Sequence, residues 1–194
     1  VGVGTTVVIS YGRHSVSDED AAAVMRVLHG DWLTTGPAVE QFEHDLTAWT
    51  DGVPVVAVSS GTAALHTAYA AAGIGRGDEV ITPPITFVAT QATAALLGAS
   101  IVFADVEDDT GNISPASVES AITPRTAAIV AVDYAGHPAD LVALRSIADR
   151  HGLLLIEDAA HSLGSTLNGR AVGSIADITT FSFFPTNRPK RASR

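Results

Sequence analysis

The segment from Leu153 to His161 constrains the fold more than any other part of the sequence. It reads Leu-Leu-Leu-Ile-Glu-Asp-Ala-Ala-His, an apolar run that ends in two acids and a histidine. Such a run is typical of a buried strand in a parallel sheet. Ligands of open α/β sheets bind beyond the carboxyl ends of strands, and an acid buried there needs a cationic partner. Asp158 is therefore predicted to meet a metal ion or a protonated ring nitrogen.

Short apolar runs alternate with amphipathic stretches over most of the chain. In chain order they predict strand 55–58, helix 62–72, strand 79–82, helix 87–97, strand 101–104, helix 115–122, strand 127–132, helix 139–151, strand 153–156 and strand 178–183. This alternation predicts βαβ units, and hence an α/β fold with a mostly parallel sheet flanked by helices.

Local signals add three further elements. A helix capped at Ser17 and ended by Gly30 is predicted first, followed by a helix that opens at Gly36-Pro37 and carries apolar positions as far as Trp49. The pair Asn168-Gly169 predicts a tight hairpin.

The bulk composition excludes several classes of protein. The 194 residues are 46% hydrophobic and 16% charged, which is enough for one sizeable core, and the net charge of −10 argues against a nucleic-acid binder. No apolar stretch approaches the roughly 20 residues that span a bilayer, and no signal peptide is recognised. With no cysteine, the chain has neither disulfides nor thiolate metal sites. We expect a cytoplasmic protein that binds no metal, nucleic acid or membrane.

A candidate anion site lies where Ser59-Ser60-Gly61-Thr62-Ala63 joins a predicted strand to a helix. Glycine permits a tight turn, and the free N–H groups of the first helical turn favour a phosphate. The Thr62 hydroxyl would be an added donor. The alternative is an ordinary capped helix.

Four predicted strand or loop ends together suggest a larger ligand. The anion site at 61–63, the acid Asp158 and the hydroxyl of Ser182 would all lie at strand ends, and Phe87 could cover a flat ring. Pyridoxal phosphate has one phosphate and one basic ring nitrogen, and it fits this set. Asp158 as a structural carboxylate and Phe87 as a core residue remain as alternatives.

The same segments carry a resemblance to a known family. The motifs are Trp32-Leu-Thr-Thr-Gly-Pro37, Ser60-Gly-Thr-Ala-Ala-Leu65, Gly77-Asp-Glu-Val-Ile81, Thr86-Phe-Val-Ala-Thr90, Thr123-Pro-Arg-Thr126, Glu157-Asp-Ala-Ala-His161 and Phe181-Ser-Phe-Phe-Pro-Thr186. In this order, residues 32–187 resemble the DegT/DnrJ/EryC1/StrS sugar aminotransferases, which have the type I aminotransferase fold and use pyridoxal phosphate. The segments 84–90 and 132–136 look most like the transaminases of pseudaminic acid synthesis, which act on a UDP-linked sugar.

The resemblance implies a role for each matching residue. Gly61, Thr62 and Ala63 would form the phosphate site, to which Ser182 would add a hydroxyl, and Phe87 would stack on the ring. Asp158 would pair with the ring nitrogen, and His161 would lie near the ring hydroxyl, although a packed core histidine is the alternative. The family also implies a nucleotide-sugar substrate, an amino-acid donor such as glutamate, and a homodimer.

Two departures from the family pattern qualify these expectations. The catalytic Schiff-base lysine is expected five residues after Ser182, where this chain has Asn187, which is neither nucleophile nor base. The resemblance implies an N-terminal arm and helix over 1–36 and a large domain over 37–186 that is incomplete. We expect 187–194 to be a disordered basic tail outside the family pattern, and the chain to be truncated before the small C-terminal domain.

These departures leave more than one functional interpretation. The first is a sugar aminotransferase whose chain lacks the activity. The second is a pyridoxal- or pyridoxamine-phosphate-dependent sugar dehydratase, although such relatives typically replace the lysine with histidine. The third is a catalytically silent remnant or interaction protein. A nicotinamide-binding domain at Gly2-Val-Gly4 is excluded, because no strand–turn–helix pattern follows.

Overall fold

The computed structural model describes residues 15–184. Its helices are α1 (Asp18–Leu28), α2 (Pro37–Thr47), α3 (Gly61–Ala71), α4 (Ala89–Leu96), α5 (Pro115–Ala121) and α6 (Leu141–His151). Its strands are β1 (Glu79–Thr82), β2 (Ser100–Phe103), β3 (Thr126–Val132), β4 (Leu154–Asp158), β5 (Thr166–Leu167), β6 (Arg170–Ala171) and β7 (Ile178–Thr180). A 3₁₀ turn, Tyr134–Gly136, follows β3.

The central sheet has five strands in the order β2-β1-β3-β4-β7, and every pair is parallel. Neighbouring residues of β3 point to opposite faces: Ile129 joins one apolar cluster with Leu144 of α6, while Val130 joins another with Leu65 of α3. Helices therefore cover both faces of the sheet. The predicted α/β class is confirmed.

Local sequence signals account for several element boundaries. Ser17 caps α1 through a reciprocal capping box with Asp20. The hairpin between β5 and β6 turns through Asn168 and Gly169, whose φ angles of 52° and 79° are both positive, as this turn requires.

The predicted strand over 55–58 is wrong. A strand needs a hydrogen-bonded neighbour, and residues 53–58 form no ladder with any strand in the described part of the chain. The N–H of Ala57 instead donates to Glu43 Oε1 at 2.7 Å. Val56 is 78% exposed, so its apolar side chain contributes little to the core.

Other boundaries shift by a few residues. Helix α4 begins at Ala89, which leaves Phe87 in the preceding loop, and α2 ends before Trp49. Strand β4 extends through Glu157 to Asp158, so both acids lie within the strand rather than after it. Strand β7 ends at Thr180, two residues before Ser182.

Some predictions fall on residues outside the described part. Asn187 and the tail 187–194 lie there, as do residues 1–14. The division of the chain at residues 36 and 186 stays a prediction. Across residues 15–184, none of the helices combines the length and hydrophobicity that a bilayer crossing requires.

Candidate functional site

The candidate site lies at the carboxyl edge of the sheet, around the end of β4. Asp158, the last residue of this strand, is in register with Thr180 of β7. Just beyond the strand, Ala159 N donates to Thr180 O at 2.9 Å. Ser182 follows Thr180 by two residues, so the acid and the hydroxyl belong to neighbouring strand ends.

The N-terminus of α3 approaches the same strand end. A Cβ atom placed on Gly61 would lie 3.0 Å from Ser182 Cβ and 3.2 Å from Ser182 Oγ. Glycine is therefore needed here for close packing, and it brings the first helical turn against the Ser182 hydroxyl. The structure thus brings together three predicted phosphate-binding residues, Gly61, Thr62 and Ser182.

The first turn of α3 leaves two backbone donors available. Ser60 Oγ accepts from Ala63 N at 3.1 Å, and Ser60 O accepts from Ala64 N at 2.9 Å. Within residues 15–184, the N–H groups of Gly61 and Thr62 have no hydrogen-bond partner. The N–H of Ala63 donates to the cap residue Ser60, so an anion at this helix end would be met by the two preceding amides and nearby hydroxyls.

Asp158 is a buried acid, only 6% exposed. Its Oδ2 accepts from Thr90 Oγ1 at 2.7 Å, and its Oδ1 accepts from Ala160 N at 3.3 Å. Burial raises the pKa of Asp158, while these two hydrogen bonds and nearby His161 oppose the rise. No Arg or His among the described residues forms an ion pair with it. A cationic ring nitrogen would supply the missing charge.

Phe87 and His161 are both on the surface, so neither is a core residue. The Phe87 side chain is 73% exposed in the loop between β1 and α4, where a flat ring could lie against it. His161 is exposed in the turn after β4, close enough to Asp158 to affect its pKa. Of the alternatives left open by the sequence, the packed histidine and the core phenylalanine are therefore wrong.

The sequence motifs did not predict which residues hold the side chain of Asp158 in place. Thr90 Oγ1 bonds both Asp158 and, at 2.8 Å, the hydroxyl of Thr86. Tyr69, fully buried in α3, donates from its hydroxyl to Thr90 O at 2.7 Å. The spacing of four residues between Thr86 and Thr90 could have indicated, from the sequence, that their hydroxyl groups interact. Their partner is 68 residues away in sequence, so only the fold identifies it.

Comparison with known proteins assigns this arrangement to a family. The sequence pattern of the DegT/DnrJ/EryC1/StrS aminotransferase family matches residues 14–188. The spore coat polysaccharide biosynthesis protein SpsC of Bacillus subtilis is 44% identical over 178 residues, which cover 92% of this chain and 46% of SpsC. The chain thus spans about half the length of this relative.

Solved structures give the same result for the fold. The putative sugar aminotransferase Spr1654 of Streptococcus pneumoniae, in its PLP form, matches with a TM-score of 0.88 and 31% identity, over 92% of this chain and 49% of that one. PseC of Helicobacter pylori, an aminotransferase of pseudaminic acid biosynthesis, matches with a TM-score of 0.86 and 33% identity, over 91% of this chain and 48% of that one. The predicted type I aminotransferase fold is thereby confirmed.

Proposed function

Because the chain belongs to the DegT/DnrJ/EryC1/StrS aminotransferase family, a pyridoxal-phosphate-dependent family, we propose that its protein is a sugar aminotransferase. The amino group would leave glutamate, which becomes 2-oxoglutarate, and replace the keto oxygen of a nucleotide-linked 4-keto-6-deoxy sugar. One observation carries this proposal: Asp158, a buried acid that forms no ion pair within residues 15–184, lies at the same sheet edge as a helix N-terminus whose first two amides have no partner in that range.

The residues at this edge fit pyridoxal phosphate. Gly61 N–H, Thr62 N–H and the Ser182 hydroxyl would hold the phosphate, and Phe87 would cover one face of the ring. Asp158 would keep the ring nitrogen protonated, and His161 would lie near the ring hydroxyl. When bound, the protonated ring supplies an electron sink for the carbon that exchanges the amino group.

The sugar substrate is inferred from relatives. SpsC is described as a polysaccharide biosynthesis protein and PseC as an aminotransferase of pseudaminic acid biosynthesis. Together with the likeness of segments 84–90 and 132–136 to that subgroup, these relatives support a UDP-linked N-acetylhexosamine derivative as the substrate. A cytoplasmic homodimer is the form in which we expect the protein to act.

Asn187 supports a second candidate function, a catalytically silent protein that keeps the fold. It stands where the family places the lysine that bonds the cofactor and moves the proton, and an amide does neither. We infer that this chain binds the cofactor without a covalent bond and does not complete a transamination.

Absorbance spectroscopy with added pyridoxal phosphate tests this proposal. The purified protein is expected to perturb the cofactor spectrum, with no bond that borohydride makes permanent, whereas Asn187→Lys should gain such a bond at residue 187. Asp158→Asn is the control for the cofactor site, and it should bind at least tenfold more weakly, the effect of losing about 1.4 kcal/mol. An unperturbed spectrum at saturating cofactor would refute the aminotransferase assignment.

The two candidate functions are separated by turnover. The protein would be incubated with glutamate and a UDP-linked 4-keto-6-deoxy-N-acetylhexosamine, and 2-oxoglutarate and amino sugar would be measured. Turnover by the unaltered chain would contradict the inference from Asn187. Turnover by Asn187→Lys alone would support a silent protein built on an aminotransferase site.

A further inference from the structure

A second pair of buried acids lies behind Asp158, and the proposed cofactor site does not use it. Glu157 precedes Asp158 on β4 and points to the opposite face of the sheet. Its side chain is 0% exposed, and that of Asp133, just after β3, is 1% exposed. Ala131 of β3 pairs with Glu157, and Asp133 follows Ala131 by two residues, so the two acids lie on the same face of neighbouring strands. Each affects the pKa of the other.

The other partners of this pair leave one oxygen of Glu157 without a donor. Glu157 Oε2 accepts from Gly173 N at 3.2 Å and from Thr179 Oγ1 at 2.8 Å. Glu157 Oε1 is buried, and no donor in the described part of the chain reaches it. A carboxylate only accepts hydrogen bonds, so a bond between two carboxyl groups requires a proton on one of them.

Glu157 is the acid that holds the proton. Burial raises the pKa of Asp133 as well, but two hydrogen bonds oppose the rise and favour its ionised form: Ala139 N donates to Oδ1 at 2.9 Å, and Ser162 Oγ donates to Oδ2. Burial, followed by the charge of Asp133, raises the pKa of Glu157 to about 8. At neutral pH the pair therefore carries one negative charge and one proton.

Asp133 connects this pair to the cofactor side of the sheet. Its N–H donates to Asp158 O at 3.1 Å, and its carboxylate accepts from Ser162, whose own N–H donates to Ala159 O at 3.1 Å. The end of β4 and the turn after it are thus both held by Asp133.

We propose that Glu157 and Asp133 are positioning residues, which hold Asp158 and the 159–162 turn in place by sharing one proton. This inference rests on the proposed function, since it assumes that Asp158 meets the cofactor. Loss of the proton would place two negative charges side by side in the interior, and the turn would loosen as they separate. The pair therefore sets the upper pH limit for cofactor binding.

No cation among residues 15–184 is placed to offset that second charge. Asp158 on β4 adds a further negative charge near Asp133, and His161 acts on Asp158. Helix α6 packs on the same face as the pair, but its Arg145 is held by Asp149 and Asp177. The ion pairs of the described residues include neither Glu157 nor Asp133.

Glu157→Gln in the intact protein tests this inference. The glutamine amide donates to Asp133 at every pH, and its carbonyl still accepts from Gly173 and Thr179. The readout is the dissociation constant of pyridoxamine phosphate, which needs no lysine, between pH 6.5 and pH 9. At pH 9, one unit above the pKa of Glu157, about one molecule in ten keeps the proton. The affinity for pyridoxamine phosphate should therefore fall about tenfold more in the unaltered protein than in the variant. The ionisation of pyridoxamine phosphate itself changes with pH in the same way for both proteins, so it does not affect the comparison.

Thermal unfolding without cofactor gives an independent readout. The pKa of Glu157 is raised from 4.5 to about 8 by folding, so its contribution to stability is complete below 4.5 and is lost as the pH rises through about 8. Glu157→Gln should remove this fall in Tm. Glu40→Gln, an exposed acid in the first turn of α2, is the matched control and should keep it.

The outcomes separate the two proposals. Parallel pH profiles for Glu157→Gln and the unaltered protein, in both binding and unfolding, would overturn the shared proton. If neither protein binds pyridoxamine phosphate at any pH but their unfolding profiles differ, the shared proton stands. The cofactor site and the positioning role would then both be overturned.

Discussion

Thr90 Oγ1 donates a hydrogen bond of 2.7 Å to Asp158 Oδ2, across 68 residues of sequence. Both residues are buried, Thr90 completely, and the bond joins helix α4 to the end of β4. A buried carboxylate whose pKa is raised by burial depends on such donors to stay ionised. The orientation of Asp158 is therefore set by a hydroxyl in a different motif.

Thr90→Val removes this hydroxyl while keeping the shape of the side chain. We expect a loss of about 1.5–3 kcal/mol in the free energy of unfolding, because a bond to a charged group is lost in the interior. Thr93→Val is the matched control and should cost about 1 kcal/mol, since Thr93 is also buried on α4 but its hydroxyl bonds, within residues 15–184, only the backbone oxygen of Ala89. Denaturant unfolding measures both. Equal losses in the free energy of unfolding would show that the bond to Asp158 contributes no more than the bond from Thr93 to the backbone.

Asp158→Asn should separate stability from cofactor binding. The amide keeps an oxygen for Thr90 but loses the bond of 3.3 Å from Ala160 N. It also removes a buried charge that forms no ion pair within residues 15–184, which offsets that loss, so the cofactor-free Tm is expected to be no lower than that of the unaltered protein. Affinity for pyridoxamine phosphate should fall at least tenfold, about 1.4 kcal/mol, because the ring nitrogen loses its anionic partner. A large drop in Tm without cofactor would indicate a structural carboxylate instead.

Gly61→Ala should disturb the approach of α3 to Ser182. The added Cβ would meet Ser182 Cβ at 3.0 Å, tighter than ordinary packing, and we expect a cost of about 1–3 kcal/mol together with weaker binding of inorganic phosphate. The control is Gly75→Ala, whose Cβ would meet Leu97 O at an ordinary 3.7 Å. Unfolding and phosphate titration measure the two effects. Unchanged phosphate affinity in Gly61→Ala would place the anion site elsewhere.

Gly136→Ala should displace the turn that carries His161. Its Cβ would lie 2.9 Å from His161 O, and Gly136 also has a φ of 87°. Gly152→Ala, at a φ of 65° with open space around it, isolates the backbone cost of about 1–2 kcal/mol. Gly136→Ala is expected to exceed that cost by at least about 1 kcal/mol in denaturant unfolding, because the turn must also move. Equal costs would show that the turn moves freely.

Much of the fold could be predicted because its signals are local. The cap at Ser17, the Asn168-Gly169 turn and the alternation of strands and helices each depend on residues a few positions apart. The failure at 55–58 has the opposite cause. An apolar β run forms a strand only where another strand offers hydrogen bonds, and a short sequence window does not contain that information.

The sequence by itself determined which chemical groups stand at the strand ends: the acid Asp158, the hydroxyl of Ser182 and the glycine that opens α3. Their order also determined the family. Only the tertiary structure decided what surrounds them. In the folded chain Thr90 donates a hydrogen bond to Asp158, the N–H of Ala63 donates to Ser60, and Glu157 lies near Asp133 in the interior. Some of these contacts join residues that are distant in sequence, and others depend on which donors remain free after packing. They therefore exist only once the sheet has formed.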